Sequence, residues 1–442
     1  MLQSKHPLLL LSLLALSSGY LIRTPKNQNR LGYVPVRSNA TKSCVTSGKS
    51  CETLPPFWEK MAAPGSWEKP QSTAGGGSRG SRGRPKGLRG HIRPLQAASV
   101  LFVDNPVGTG YSYVNDTLAY ATDLCTVTSD MMVVLREFFR SKTEFQQIPF
   151  YIFSESYGGK MAAAIALELH KSIQAGTIKC NFLGVALGDS WISPLDSVLS
   201  WGPYLYSTSL LDDKGLKEVT TAAKKILDAM NKREFKLATL LWSKAEDIIE
   251  ENTNGVNFYN ILTRETTSKV AVASPGSETF PFLKLFQRHV QYQNKDKLSD
   301  LMNGPIRKKL KIIPDHVKWG GQSQNVFMNM AEDFMKHAID IVDDLLEANV
   351  NVTVYNGQLD LIVSTIGQEA WLRKLKWPKL KKFSAQKWQA LYTSPESSET
   401  AAFHKSYDNL DFFWILKAGH MVPADQGDMA LKMVRIVTHQ NH

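Results

Sequence analysis

The chain has no run of about 20 apolar residues, the length a helix needs to cross a bilayer, so no membrane span is expected. Its one apolar stretch near the N-terminus, Leu8 to Leu16, is too short for that. It follows Lys5 and His6 and precedes Ser17, Ser18 and Gly19, the order of a secretory leader with cleavage near Gly19. Cysteine is scarce: the 4 present, Cys44, Cys51, Cys125 and Cys180, permit at most two disulfides in an oxidising lumen, and the sequence does not choose among their three pairings. No His, Cys, Asp and Glu cluster stands at metal-ligand spacing, so no metal site is expected. Gly75-Gly76-Gly77 neither follows a strand pattern nor opens a helix, which excludes a nucleotide loop, and no other cofactor is implied. Repeats of solenoid period are missing as well.

Acidic residues are absent around Arg79, Arg82, Arg84, Lys86, Arg89 and Arg93, and this local imbalance supplies much of the net charge of +11. Within it, Arg82-Gly83-Arg84-Pro85-Lys86 resembles an AT-hook for the DNA minor groove, but a secretory leader takes the chain away from DNA. No nucleic-acid partner is expected. The same region holds the tract Ala74 to Gly83, too poor in apolar side chains to offset the entropy of ordering it. A second basic cluster, from Arg373 to Lys382, reads as a solvated helix end and loop. Over the whole chain, 43% hydrophobic and 21% charged residues are ordinary for a soluble globular protein. The sequons Asn39-Ala40-Thr41, Asn115-Asp116-Thr117 and Asn351-Val352-Thr353 agree with the secretory route, and a secreted or lysosomal location is expected.

After Leu95 the texture changes. Short apolar runs at Val100–Val103, Phe150–Phe153, Val185–Leu187, Val352–Tyr355 and Phe412–Leu416 predict strands. Helical stripes over Asp123–Arg140, Gly159–Ile173 and Val326–Glu347 alternate with them, which predicts a mostly parallel sheet covered on both faces. Between Ile192 and about Gln324 the alternation stops and amphipathic helices take over, notably Lys214–Met230 and Glu234–Glu251. The divisions expected are a leader over 1–19, a disordered low-complexity segment over 20–94, a core over 95–192, a helical cap over 193–324 and the rest of the core over 325–442.

Ser154-Glu155-Ser156-Tyr157-Gly158-Gly159 stands directly after a strand pattern and before a helical one. A nucleophile elbow needs small residues two before and two after the nucleophile, because the backbone turns sharply there, and Ser154 and Gly158 meet that need. Ser156 is then the nucleophile, with the Tyr157 backbone N–H at a helix start where an oxyanion is favoured. A serine hydroxyl needs a histidine base and a carboxylate that orients it. Of the 10 histidines, His420 alone sits in a tight loop after a strand, in Ala418-Gly419-His420-Met421-Val422-Pro423. Asp360, just past a strand in Tyr355-Asn356-Gly357-Gln358-Leu359-Asp360, follows the expected order of nucleophile, acid and base. Asp189, in Gly188-Asp189-Ser190, also ends a strand but comes before the cap.

These strings, with Asp104-Asn105-Pro106-Val107-Gly108-Thr109-Gly110-Tyr111-Ser112, resemble the serine carboxypeptidases from about Leu95 to the C-terminus. The resemblance implies an α/β-hydrolase fold with a helical cap, acting on peptides and proteins with a free C-terminus and working best in acid. It assigns Ser156, Asp360 and His420 as the triad and Glu155 as one of a carboxyl pair that recognises the substrate's terminal carboxylate. Family members also carry a Gly-Gly-Pro-Gly loop that completes the oxyanion hole, and soon after it the second glutamate of the pair. Neither string occurs in this chain, so the first strands of the sheet are expected to be missing. A form without both would be a carboxypeptidase-like binding protein with impaired turnover.

Overall fold

The computed structural model describes residues 9–14, 98–263, 280–286, 288–289 and 296–440. The low-complexity segment over 20–94 lies outside the described residues, and so do Asn39, Cys44 and Cys51. Among the described residues one sheet is formed by β1 (Leu9–Leu14), β2 (Ser99–Asp104), β3 (Pro149–Glu155), β4 (Asn181–Gly188), β5 (Asn351–Gly357), β6 (Gln389–Leu391), β7 (Ala402–Tyr407) and β8 (Leu410–Ile415). Their order is β2-β1-β3-β4-β5-β8-β7-β6, parallel as far as β8, with β7 and β6 antiparallel.

The helices follow from side-chain spacing. In α1 (Leu124–Ser141) the buried residues Val127, Met131, Leu135 and Phe139 recur every fourth position, and the Asp123 side chain caps the start by accepting from the Thr126 N–H at 2.7 Å. In α2 (Tyr157–Gln174) the same spacing buries Met161, Ile165 and Leu169. Burying each such side chain contributes roughly 2 kcal/mol. The cap begins with α3 (Pro194–Ser207), α4 (Asp213–Asn231) and α5 (Phe235–Thr253), packed in sequence, and continues through α6 (Phe280–Phe286). Arg288 then ties the chain back to α5 through Glu246 at 2.9 Å and Asp247 at 3.2 Å.

The helix expected over Val326–Glu347 is two helices, α7 (Ser323–Asn329) and α8 (Ile339–Glu347). The interruption brings Asp333 inward, where it accepts from the Tyr157 hydroxyl at 2.7 Å and the Leu124 N–H at 3.3 Å and pairs with Lys160 at 3.0 Å. A continuous amphipathic stripe gives no warning of such a buried charge. Past β5 come α9 (Thr365–Leu372) and, at the end, α10 (Gly427–Val437). The sheet is covered on one face by the large core that includes α1, α2 and α8, and on the other by Met429, Met433 and Val437 of α10 against Tyr355, Phe413 and Ile415.

Part of the stretch expected to be a leader pairs with the sheet. Leu9–Leu14 is a strand, in register with β2 from Leu9 opposite Ser99 to Leu14 opposite Asp104, and with β3 from Leu9 opposite Phe150 to Leu13 opposite Ser154. The sheet therefore does have a strand from ahead of Ser99. Without one, β2 and β3 would each present a row of unsatisfied backbone N–H and C=O groups, which an extended segment relieves. The edge moves to β2, which has a neighbouring strand on only one side among the described residues.

Candidate active site

Ser156 links β3 to α2 with φ 61° and ψ −134°, a conformation costing about 1–3 kcal/mol for a residue with a side chain. Backbone hydrogen bonds hold it there. Its N–H lies 3.0 Å from the Gly188 carbonyl and 3.1 Å from that of Asp189, and its own carbonyl accepts from Gly159 at 3.0 Å and Trp191 at 2.9 Å. The side chain remains half-buried. Tyr157 turns inward to Asp333, its ring stacked on Phe334 at 5.8 Å, so its backbone N–H is fixed at the first turn of α2. Burial first, and then the Asp333 charge, raises the Tyr157 phenol well above its usual range and keeps it a donor.

Asp360 and His420 leave the ends of neighbouring strands, since Gly357 of β5 pairs with Ile415 of β8. Asp360 Oδ1 accepts from the Val363 N–H at 3.1 Å, and Oδ2 lies 2.6 Å from His420 Nδ1. The loops touch so closely that a Cβ at Gly357 would stand 2.1 Å from the Gly419 carbonyl oxygen, and one at Gly419 would stand 2.2 Å from that of Tyr259. Glycine is required at both for that reason. The His420 N–H donates to the Tyr259 carbonyl at 2.7 Å, and the Tyr259 ring meets the imidazole edge-on at 5.0 Å. His420 Nε2 is buried and has no hydrogen-bond partner. Burial lowers the imidazole below its usual value, opposed by the charges of Asp189 and Glu155.

Glu155 ends β3, half-buried, and its Oε1 accepts from the Tyr355 hydroxyl at 3.2 Å. Burial, the largest cause, pushes its carboxyl up to about 7 against the lowering effects of His420 and Tyr355. Its hydrogen-bonded partner is thus a phenol rather than a second carboxyl. Tyr355 reaches it over Gly188, where a Cβ would lie 2.0 Å from the ring.

The structure brings Asp360 and His420 into contact, and the Ser156 elbow is tied through its N–H to Gly188 and Asp189, while no hydrogen bond joins Ser156 to the His420 ring. It also adds three residues. Asp189, set aside as the acid, has its carboxyl within 4.8 Å of the ligand atoms of Asp360 and His420. Tyr355 was visible only as the end of a strand pattern and the first letter of the Asp360 string, and Tyr259 belongs to a part of the cap with no motif at all. Of the sequons, Asn115 is exposed in a loop, whereas Asn351 is half-buried at the head of β5, its carbonyl oxygen tight against Gly184.

A parallel sheet clothed by helices, with a strained serine after β3 and an acid and histidine after β5 and β8, defines an α/β-hydrolase. The serine carboxypeptidase family model matches residues 93–440, and the chain belongs to that family. It is 70% identical over 346 residues to the rat retinoid-inducible serine carboxypeptidase, covering 78% of this chain and 76% of that one. Its 59% identity to the human retinoid-inducible serine carboxypeptidase extends over 98% of this chain and 97% of the relative, so the relationship reaches beyond the motifs that begin near Leu95. The crystal structure of Kex1(delta)p, a prohormone-processing carboxypeptidase from Saccharomyces cerevisiae, shares the fold with a TM-score of 0.65 and 21% identity, covering 78% of this chain and 74% of its own. No helix among the described residues is long and apolar enough to cross a membrane.

Proposed function

We propose that Ser156, His420 and Asp360 release C-terminal residues from peptides by way of an acyl-enzyme. The observation that carries this is the 2.6 Å contact between Asp360 Oδ2 and His420 Nδ1, which leaves Nε2 buried and without a partner. Nε2 is the nitrogen that must take a proton. As the Ser156 hydroxyl oxygen attacks the scissile carbonyl carbon, its proton passes to Nε2, and Asp360 stabilises the imidazolium. The oxyanion accepts from the Tyr157 N–H, assisted by the partial positive charge at the start of α2. Collapse expels the amine of the C-terminal residue with the proton from Nε2, and water repeats the sequence on the acyl-enzyme.

Two shifts favour acid. With its carboxyl near 7, Glu155 is neutral at pH 5 and can donate to the substrate's terminal carboxylate. Burial keeps His420 a free base at lower pH than an exposed imidazole would be. The window lies above the pKa of His420 and below that of Glu155, which suits a lysosomal or secreted, glycosylated enzyme. The missing Gly-Gly-Pro-Gly string supports a second reading, a carboxypeptidase-like binding protein without turnover.

A fluorophosphonate probe and the release of single C-terminal residues near pH 5 separate the two. Labelling and release are expected from the parent and lost in Ser156→Ala, with turnover down by about 10000-fold or more. Folded parent that binds peptide but neither labels nor hydrolyses would favour the binding protein instead.

A further inference from the structure

Asp189 is a wholly buried carboxyl that the three-residue relay does not use. It sits where the elbow, β5 and the acid loop meet. Its backbone adopts φ 41°, its N–H donates to the Tyr355 carbonyl at 2.8 Å, and its carbonyl accepts from the Ser156 N–H at 3.1 Å. The side chain is therefore delivered to a fixed place. Oδ1 accepts from the Gly357 N–H at 2.8 Å, while Oδ2 is buried without any donor facing it. The adjoining group is the carboxyl of Asp360, close enough to share a hydrogen bond.

Two acceptor-only carboxylates in contact and away from water repel each other, and a proton between them turns repulsion into a hydrogen bond. The surroundings decide which oxygen carries it. Asp360 faces N–H donors from Val363, Ile362 and the His420 ring, whereas Asp189 faces one, from Gly357. More donors hold more negative charge.

We propose that Asp189 is a positioning residue kept as a neutral carboxylic acid, whose Oδ2–H donates to Asp360 and orients that carboxylate, as the single anion of the pair, toward His420. The inference rests on the triad reading given above. Burial raises both carboxyls, and the charged or titratable groups facing Asp189 are Asp360 after β5, His420 after β8 and Glu155 at the end of β3. None is a cation strong enough to hold a second carboxylate ionised. A divalent metal ion among Asp189, Asp360 and His420, whose ligand atoms lie within 4.8 Å of one another, would be the rival arrangement.

The test compares Asp189→Asn with Asp189→Ala in the full chain. Asparagine keeps an acceptor for Gly357 and offers Nδ2–H to Asp360 but cannot be charged. The expected result is kcat within about threefold of the parent for Asn and at least about tenfold lower for Ala at little-changed KM, the cost of losing a donor to a buried charge. Carboxyl 13C spectra of aspartate-labelled protein provide a readout that needs no turnover. One aspartate should keep the protonated shift from pH 5 to 8 and vanish in Asp189→Asn. Loss of kcat as severe in Asn as in Ala, the absence of that resonance, or activity abolished by a chelator would overturn the proposal. Failure of the parent to label at Ser156 would overturn the triad reading alone, because the resonance tests Asp189 independently.

Discussion

From β3 to β8 each strand end that bears chemistry is tied to the next: Ser156 to Gly188 and Asp189, Asp189 to Tyr355, Leu359 to Ala418 at 2.7 Å, and His420 to Tyr259. On the other side, β1 reaches its place from residues 9–14, and β2 stands at the edge with one neighbour among the described strands. The contact between Asp360 and His420 belongs to the first region. The second is where family members place their oxyanion loop and second glutamate, and this sequence holds neither string. The Tyr157 N–H, the one oxyanion donor proposed from this chain, lies in the first region with Asp360 and His420, so only a second donor would have to come from the other side.

The largest effect expected from breaking this contrast is at Asp360. Asp360→Asn should lower kcat by about 10000-fold, because the amide presents His420 with the wrong hydrogen-bond partner and so the wrong tautomer. Thermal unfolding and near-ultraviolet circular dichroism should show the fold retained. A loss of less than tenfold would mean that Asp189 can supply the anion, and that the relay is less specific than its contacts suggest.

The next effect comes from repairing the poorer side. Replacing residues 20–94 with the matching segment of a family member that carries the Gly-Gly-Pro-Gly loop should raise kcat by about 100-fold to 1000-fold, the usual worth of one oxyanion donor. Fluorophosphonate labelling should accelerate in parallel. If neither rate changes, the two sides of the sheet do not differ in function as they do in sequence.

What the sequence disclosed divides along the same line. The strands over Phe150–Phe153, Val185–Leu187 and Val352–Tyr355 were legible because buried parallel strands read as short apolar runs, and Val100–Val103 gave the same signal although β2 is an edge strand and mostly half-buried. The strained turn at Ser156 and the contact of Asp360 with His420 were legible because sharp loops at strand ends demand glycine and small residues nearby, and those letters are local. Three things were not. The break between α7 and α8 depends on Asp333 meeting Tyr157 and Lys160, far away in sequence. Tyr259 contributes its carbonyl and the edge of its ring, which no pattern encodes. The placing of Leu9–Leu14 as β1 turns on the vacancy between two other strands, which no local pattern records.

The smallest effect concerns Glu155, the group proposed to recognise the substrate's terminal carboxylate. Its ordinary value of 4.5 is pushed up to about 7, so between those values the folded protein binds a proton that the unfolded chain has released. Stability supported by this proton is fully present below pH 4.5 and is lost as pH rises through 7, where folding must keep a buried charge. Substrate binding should follow the same course: one pH unit above 7 only about a tenth of the carboxyl remains able to donate, and KM should rise about tenfold by pH 8. Glu155→Gln keeps a neutral donor at every pH. It should match the parent within about threefold at pH 5, exceed it in kcat/KM by up to about tenfold at pH 8, and lose this part of the fall in melting temperature between pH 5 and 8. Profiles of kcat/KM and calorimetric melting temperature against pH, measured on both proteins, check this directly. A variant whose alkaline limb coincides with the parent's would move the titration to another group and leave Glu155 as a bystander beside the elbow.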